Sequence, residues 1–219
     1  MRAGGTWLAL DRSRRFGVVT NYRDLQRPSP DAPSRGELIP RYLGEPRGAG
    51  EFLAALEPHA SRYSGFNLLL ADNRELWYAS NRAQPFARAL PPGIYGLSNH
   101  LLDTPWPKLA RVRKSFDSWL AALPEDVPPS ATLLDAPLAM LEDRSLASAD
   151  ETLPATGLPR EWERVLSSPF VLNPEYGTRC STAVLIDRDG ALLVRERRFE
   201  PSGMRSGETE IALPPGAWP

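Results

Sequence analysis

Thr182-Ala183-Val184-Leu185-Ile186, then Asp187-Arg188-Asp189-Gly190, then Ala191-Leu192-Leu193-Val194-Arg195-Glu196-Arg197-Arg198-Phe199 is the clearest strand–turn–strand in the chain. Apolar and β-branched residues flank a four-residue polar turn that closes on glycine, which is a hairpin pattern. Further hairpins precede it. Phe66–Ala71 and Leu76–Ser80 flank Asp72-Asn73-Arg74-Glu75, and Thr6–Leu10 and Phe16–Thr20 flank Asp11-Arg12-Ser13-Arg14. Gly93–Leu97 reads as another strand, and Glu208–Leu213 as a last one.

Between the hairpins the period changes to that of a helix. Trp106, Leu109, Val112, Phe116, Trp119, Leu120 and Leu123 form one apolar stripe, with Asp103 or Thr104 as the expected cap and Pro105 in the first turn. Leu38–Leu43, Glu51–Tyr63, Leu133–Leu141 and Arg160–Leu166 read as further helices, and 28–36 as a loop. Strands and helices do not alternate one for one, so the pattern predicts an α+β fold with largely antiparallel sheets rather than a doubly wound parallel sheet.

Composition bounds the function. The 219 residues predict one domain, 1–219, with a Pro-rich helical and loop insertion over 124–174; prolines total 23. A net charge of −1 supplies no global field for nucleic acid or an acidic membrane. Lys108, Arg111, Arg113 and Lys114 then read as a solvated helix face. Arginine far outnumbers lysine, Lys108 and Lys114 being the only two, as in a GC-rich bacterial genome. The single cysteine, Cys180, rules out an internal disulfide and fits a cytoplasmic setting; beside Arg179 it reads as a small buried hydrophobe rather than a reactive thiolate. No apolar run approaches the length of a membrane span.

The usual chemical motifs are missing. Two histidines, His59 and His100, have no partner at metal-ligand spacing, and there is no Gly-rich nucleotide loop or nucleophile elbow. What remains are polar residues at strand ends: Asn21 after Phe16–Thr20, Asn99 after Ile94–Ser98, and Arg179 before the strand that starts near Cys180. An Asn amide offers two N–H donors suited to an oxyanion or carboxylate, and Arg suits a carboxylate or developing charge. Each Asn alone also suits a turn.

Several stretches, in order, resemble one family. They are Ala3-Gly4-Gly5-Thr6-Trp7-Leu8, Thr20-Asn21-Tyr22-Arg23-Asp24, Ser34-Arg35-Gly36-Glu37, Gly65-Phe66-Asn67-Leu68-Leu69 and Tyr78-Ala79-Ser80-Asn81-Arg82. Pro92-Gly93-Ile94-Tyr95-Gly96-Leu97-Ser98-Asn99 follows, continuing through Leu101-Leu102-Asp103-Thr104-Pro105-Trp106-Pro107-Lys108, and then Tyr176-Gly177-Thr178-Arg179. Together they resemble the NRDE family, also called the transport and Golgi organisation protein 2 family.

The resemblance implies an N-terminal nucleophile hydrolase-like fold, a four-layer αββα sandwich, in which an N-terminal Cys attacks an amide and its own α-amine is the base. It implies supporting roles for Asn21, Asn99 and Arg179 around a non-peptide C–N bond. The nucleophile and the Asn-Arg-Asp-Glu signature do not occur in these 219 residues. The expectation is therefore a start placed downstream of the true one, with the first strands missing, an exposed sheet edge and poor solubility. As written, the chain is expected to be inactive as an amidohydrolase. The alternative is a non-catalytic haem or small-ligand binding and trafficking protein without a resident cofactor, in which the polar strand ends hold a ligand carboxylate and His59 or His100 would ligate iron if haem were carried.

Overall fold

The structure, a computed structural model, describes residues 5–25, 31–124, 127, 130–149 and 152–217. Ala3 and Gly4, most of the expected 28–36 loop before Asp31, and parts of the Pro-rich 124–174 segment lie outside the described residues. The chain forms a mixed α+β structure with two separate antiparallel sheets, and its contacts divide it into two compact units, Met1–Thr104 and Pro105–Trp218.

The first unit is a five-stranded meander of β1 (Leu8–Leu10), β2 (Phe16–Asn21), β3 (Phe66–Ala71), β4 (Leu76–Ser80) and β5 (Ala87–Leu90), each strand paired with the next in sequence. The register Phe16↔Ala71 to Asn21↔Phe66 puts the polar end of β2 beside the start of β3. Side-chain alternation along β3 serves two cores. Phe66, Leu68 and Leu70 pack under helices α1 (Leu38–Gly44) and α2 (Ala49–Leu56), against Ile39, Tyr42 and Leu53. Leu69, facing the other way, joins Tyr78, Leu90 and Leu102.

Motif residues in this unit act as clamps. Asn81 accepts from Phe66 N–H at 2.9 Å and donates to the carbonyls of Ala60 and Tyr63 at 3.0 and 3.1 Å. Arg82 pairs with Asp24 at 2.8 Å, and Arg35 donates to the Gly65 carbonyl at 2.8 Å. Thr6 N–H donates to Gly36 O at 3.0 Å, and a Cβ on Gly5 would sit 2.6 Å from the Gly36 carbonyl carbon. Two backbones therefore meet where only a missing side chain leaves room.

Two sequence expectations are corrected here. Gly93–Leu97 is not a strand; the fifth strand is Ala87–Leu90. Residues 96–103 instead close a loop, with Asp103 N–H donating to Gly96 O at 2.7 Å and Gly96 N–H to the Asp103 carboxylate at 2.8 Å. That consumes Asp103, with φ at 60°, so it does not cap the long helix. Helix α3 (Pro107–Ala121) starts at Pro107 with Trp106 at its cap position.

The second unit contains α3, α4 (Asp135–Leu141), α5 (Arg160–Val165) and a three-stranded sheet of β6 (Cys180–Ile186), β7 (Leu192–Phe199) and β8 (Arg205–Leu213), in the order β6-β7-β8. Leu134 and Leu138 pack on Ala183 and Leu193. Beside this small core lies an arginine–carboxylate lattice. Arg197, with its side chain 6% exposed, meets Asp135 at 2.8 Å, Glu142 at 2.9 Å and Glu208 at 2.8 Å. Arg195 shares Asp135 and Glu208. α4 is thereby tied to β7 and β8 by charge as well as by packing.

Candidate functional site

Asn21, at the end of β2, and Asn99, in the loop after β5, come together in the first unit. Asn99 donates its side-chain amide to the Asn21 carbonyl at 3.2 Å, and Arg23 N–H donates to the Asn99 carbonyl at 2.6 Å. The loop carrying Asn99 is anchored to the sheet by Asn67, a fully buried polar residue in the central strand β3. Asn67 donates to Thr20 Oγ1 at 3.2 Å and to the His100 carbonyl at 3.1 Å, and accepts from Tyr78 Oη at 2.9 Å. Tyr78 Oη in turn accepts from Leu102 N–H at 3.1 Å. Every partner is engaged, the condition under which a buried polar group rigidifies rather than destabilises.

One tautomer of His100 satisfies both of its ring contacts. Thr104 Oγ1 donates to the Leu101 carbonyl at 2.8 Å, so at 2.9 Å from His100 Nδ1 it accepts the ring proton. Nε2 is then the acceptor, and Tyr22 Oη donates to it at 2.7 Å. The two rings lie 4.8 Å apart at 36°. Burial pushes the His100 pKa below its ordinary value, and burial followed by the Asp24 carboxylate pushes Tyr22 up. Both rings are thus uncharged at physiological pH, beside the exposed Asn21 and the half-buried Asn99.

This geometry does not fit an iron-ligating haem site. His100 Nε2 is spent on Tyr22, and His59 stands alone on the exposed face of the 3-10 turn Glu57–Arg62. Among the described residues, no three of His, Cys, Asp and Glu gather at metal-binding distance, and no helix is long and apolar enough to cross a membrane.

Arg179 belongs to the second unit. It is exposed at the start of β6, its guanidinium resting on the Thr178 carbonyl at 3.3 Å. Cys180 is half-buried, and burial followed by the Glu196 carboxylate raises its thiol pKa, so it lacks the character of a nucleophile. Of the basic helix face, Arg111 pairs with Asp143 at 2.7 Å, while Lys108 lies 5.9 Å over the Trp106 ring.

The sequence reading missed Tyr22, Asn67 and Thr104 as site residues. Tyr22 and Asn67 sit within quoted motifs, yet the contact of Tyr22 with His100, 78 residues away, and of Asn67 with Thr20, 47 residues away, follows only from the folded chain. The reading also missed an apolar cavity of about 870 Å³ in the second unit, lined by Phe116 and Trp119 of α3, Met140 of α4 and all of Thr182–Ile186 on β6.

Comparison with known proteins bears on both units. A family model described as Transport and Golgi organisation 2 matches residues 1–201. The Transport and Golgi organization 2 homolog of Mus musculus is 34% identical over 209 residues, covering 90% of this chain and 72% of its own. The Homo sapiens homolog is 33% identical over 220 residues, covering 95% and 77%. The Drosophila melanogaster protein is 28% identical over 209 residues, covering 87% and 71%.

Proposed function

Because this chain belongs to the transport and Golgi organisation 2 family, we propose that it is a non-catalytic small-ligand binding and trafficking protein whose ligand presents an oxygen acceptor to Asn21 and Asn99. The observation that carries this reading is the Asn99–Asn21 contact on a loop held by buried Asn67. It fixes the Asn99 amide beside the exposed Asn21, so binding does not have to order that loop. Amide donors suit a carboxylate or carbonyl oxygen.

The ligand is a small carboxylate-bearing molecule. Haem falls in that class only through its carboxylates, since the described histidines do not offer an iron site. The reducing cytoplasm is the proposed setting of a chain with one cysteine.

A second reading, as an N-terminal nucleophile amidohydrolase, would make Asn21 and Asn99 oxyanion donors in place of ligand clamps. The two readings separate experimentally. Thermal-shift titration with hexanoate and benzoate is expected to stabilise the wild type, and Asn99→Ala to weaken binding about ten- to hundredfold, the worth of one hydrogen bond to a charged group. Asn21→Asp is expected to abolish it by like-charge repulsion. Hexanamide and benzamide are expected to pass through unhydrolysed. Release of ammonia from either amide, lost in Asn99→Ala, would reverse the reading in favour of catalysis.

A further inference from the structure

Strand β6 is the outer strand of its sheet, paired with β7 and with no strand on its other side among the described residues. The direction of its main-chain groups follows from two bonds: Phe199 N–H donates to Arg179 O at 2.8 Å, and Asp187 N–H to Ala191 O at 3.0 Å. Pairing direction alternates along an antiparallel strand. Residues 179, 181, 183, 185 and 187 therefore face β7, and Cys180, Thr182, Val184 and Ile186 aim their N–H and C=O groups at the open edge. The strand carries no proline, no charge and no bulge, the devices that ordinarily blunt an edge.

The apolar cavity runs along this same edge, since five consecutive β6 residues line it. Its other wall is α3, which has no buried residue although Val112, Phe116, Trp119 and Leu120 form a stripe facing the cavity. Helix and edge together make an apolar trough one strand long.

We infer that β6 pairs with β6 of a second copy of this chain, antiparallel about a two-fold axis through Ala183. This register alone matches the whole strand to itself, setting Cys180 opposite Ile186 of the partner subunit and Thr182 opposite Val184 of the partner subunit. It also sets Arg179 opposite Asp187 of the partner subunit, and by symmetry the reverse, giving two opposite-charge pairs at the strand ends. The Asp187 oxygen Oδ1 accepts from Ala191 N–H at 2.7 Å, which leaves Oδ2 for the guanidinium. Moving the register by two residues sets Arg179 against residue 189 or 185 and leaves part of the strand unpaired. Pairing joins two three-stranded sheets into one of six strands and lays a partner strand along the apolar stripe of α3. The inference is independent of the ligand reading, which concerns the other unit.

Sedimentation equilibrium of the intact chain tests it. The expected mass is twice 24.2 kDa at micromolar concentration. Val184→Pro removes a donor that points out of the sheet while sparing the β6–β7 bonds, and is expected to give a folded monomer with an unchanged circular dichroism spectrum. Ile186→Cys is expected to form a covalent dimer through native Cys180 when oxidised with diamide, because directly opposed, hydrogen-bonded residues lie within disulfide span. Thr182→Cys is expected not to, and the charge reversal Arg179→Asp with Asp187→Arg should retain the dimer that either change alone weakens. A monomeric wild type would overturn the inference, as would a dimer indifferent to Val184→Pro. So would a monomer whose trough takes up an apolar dye or a co-purifying peptide strand.

Discussion

Tyr22 Oη lies 2.7 Å from His100 Nε2, across 78 residues of sequence, a contact that suits a neutral imidazole protonated at Nδ1 toward Thr104. Protonating His100 would force Tyr22 to turn from donor to acceptor. Burial already lowers the pKa of His100 from 6.5. The unfolded chain therefore takes up the proton first as pH falls, so the contribution is fully present above pH 6.5 and is lost as pH falls from there toward the folded pKa. The melting temperature is expected to drop between neutral pH and about pH 5, and His100→Gln to flatten that slope. Melts of both proteins across the interval check it; parallel slopes would remove His100 as the origin.

Asn67 is expected to be the most sensitive polar position of the first unit. Asn67→Leu leaves Thr20, Tyr78 and the His100 carbonyl without their partner, each at a cost of about 1–3 kcal/mol if it stays dry. Urea unfolding should show the loss, and amide exchange should rise first across 98–104.

Truncating Arg197 tests the second unit. Arg197→Met removes the cation shared by Asp135, Glu142 and Glu208, and the three carboxylates left behind repel one another. A loss of about 1–3 kcal/mol is expected, because the carboxylates are partly exposed and keep Arg195 and Arg205 as partners. It should be partly relieved at low pH, where those carboxylates protonate; denaturant midpoints at two pH values provide the check.

Gly5→Ala is expected to cost about 1–3 kcal/mol, because its Cβ would meet the Gly36 backbone at 2.6 Å and neither chain can yield as a side chain would. Gly44→Ala, where nothing lies within 4 Å, is the matching control. Thermal melts of the two variants should differ in that order.

Much of the fold was legible because local chemistry and tertiary structure agreed. The Asp187–Gly190 and Asp72–Glu75 turns sit between strands whose patterns match their burial, and both hairpins formed as the sequence indicates. Legibility failed where a residue had two uses. Asp103 is a good cap in isolation, yet its carboxylate closes the 96–103 loop. Tyr95 and Leu97 look like strand residues because they help cover the second face of the sheet from a loop. The site divided in the same way. Asn21 was visible as a polar strand end and Asn99 was picked out beside a strand that does not form, whereas Tyr22, Asn67 and Thr104 acquire meaning only from who faces them. The stripe on α3 was legible, but not that it would line a trough instead of a closed core.

The most direct test of the central claim is a hexanoate titration of ¹⁵N-labelled protein, following the side-chain amide resonances of Asn21 and Asn99. Saturable shifts of both amides, matched by the Tyr22 and His100 backbone signals and abolished in Asn99→Ala, are the predicted result. Amides that stay still while other regions respond, or shifts that survive Asn99→Ala, would contradict the assignment of this cluster as the ligand site.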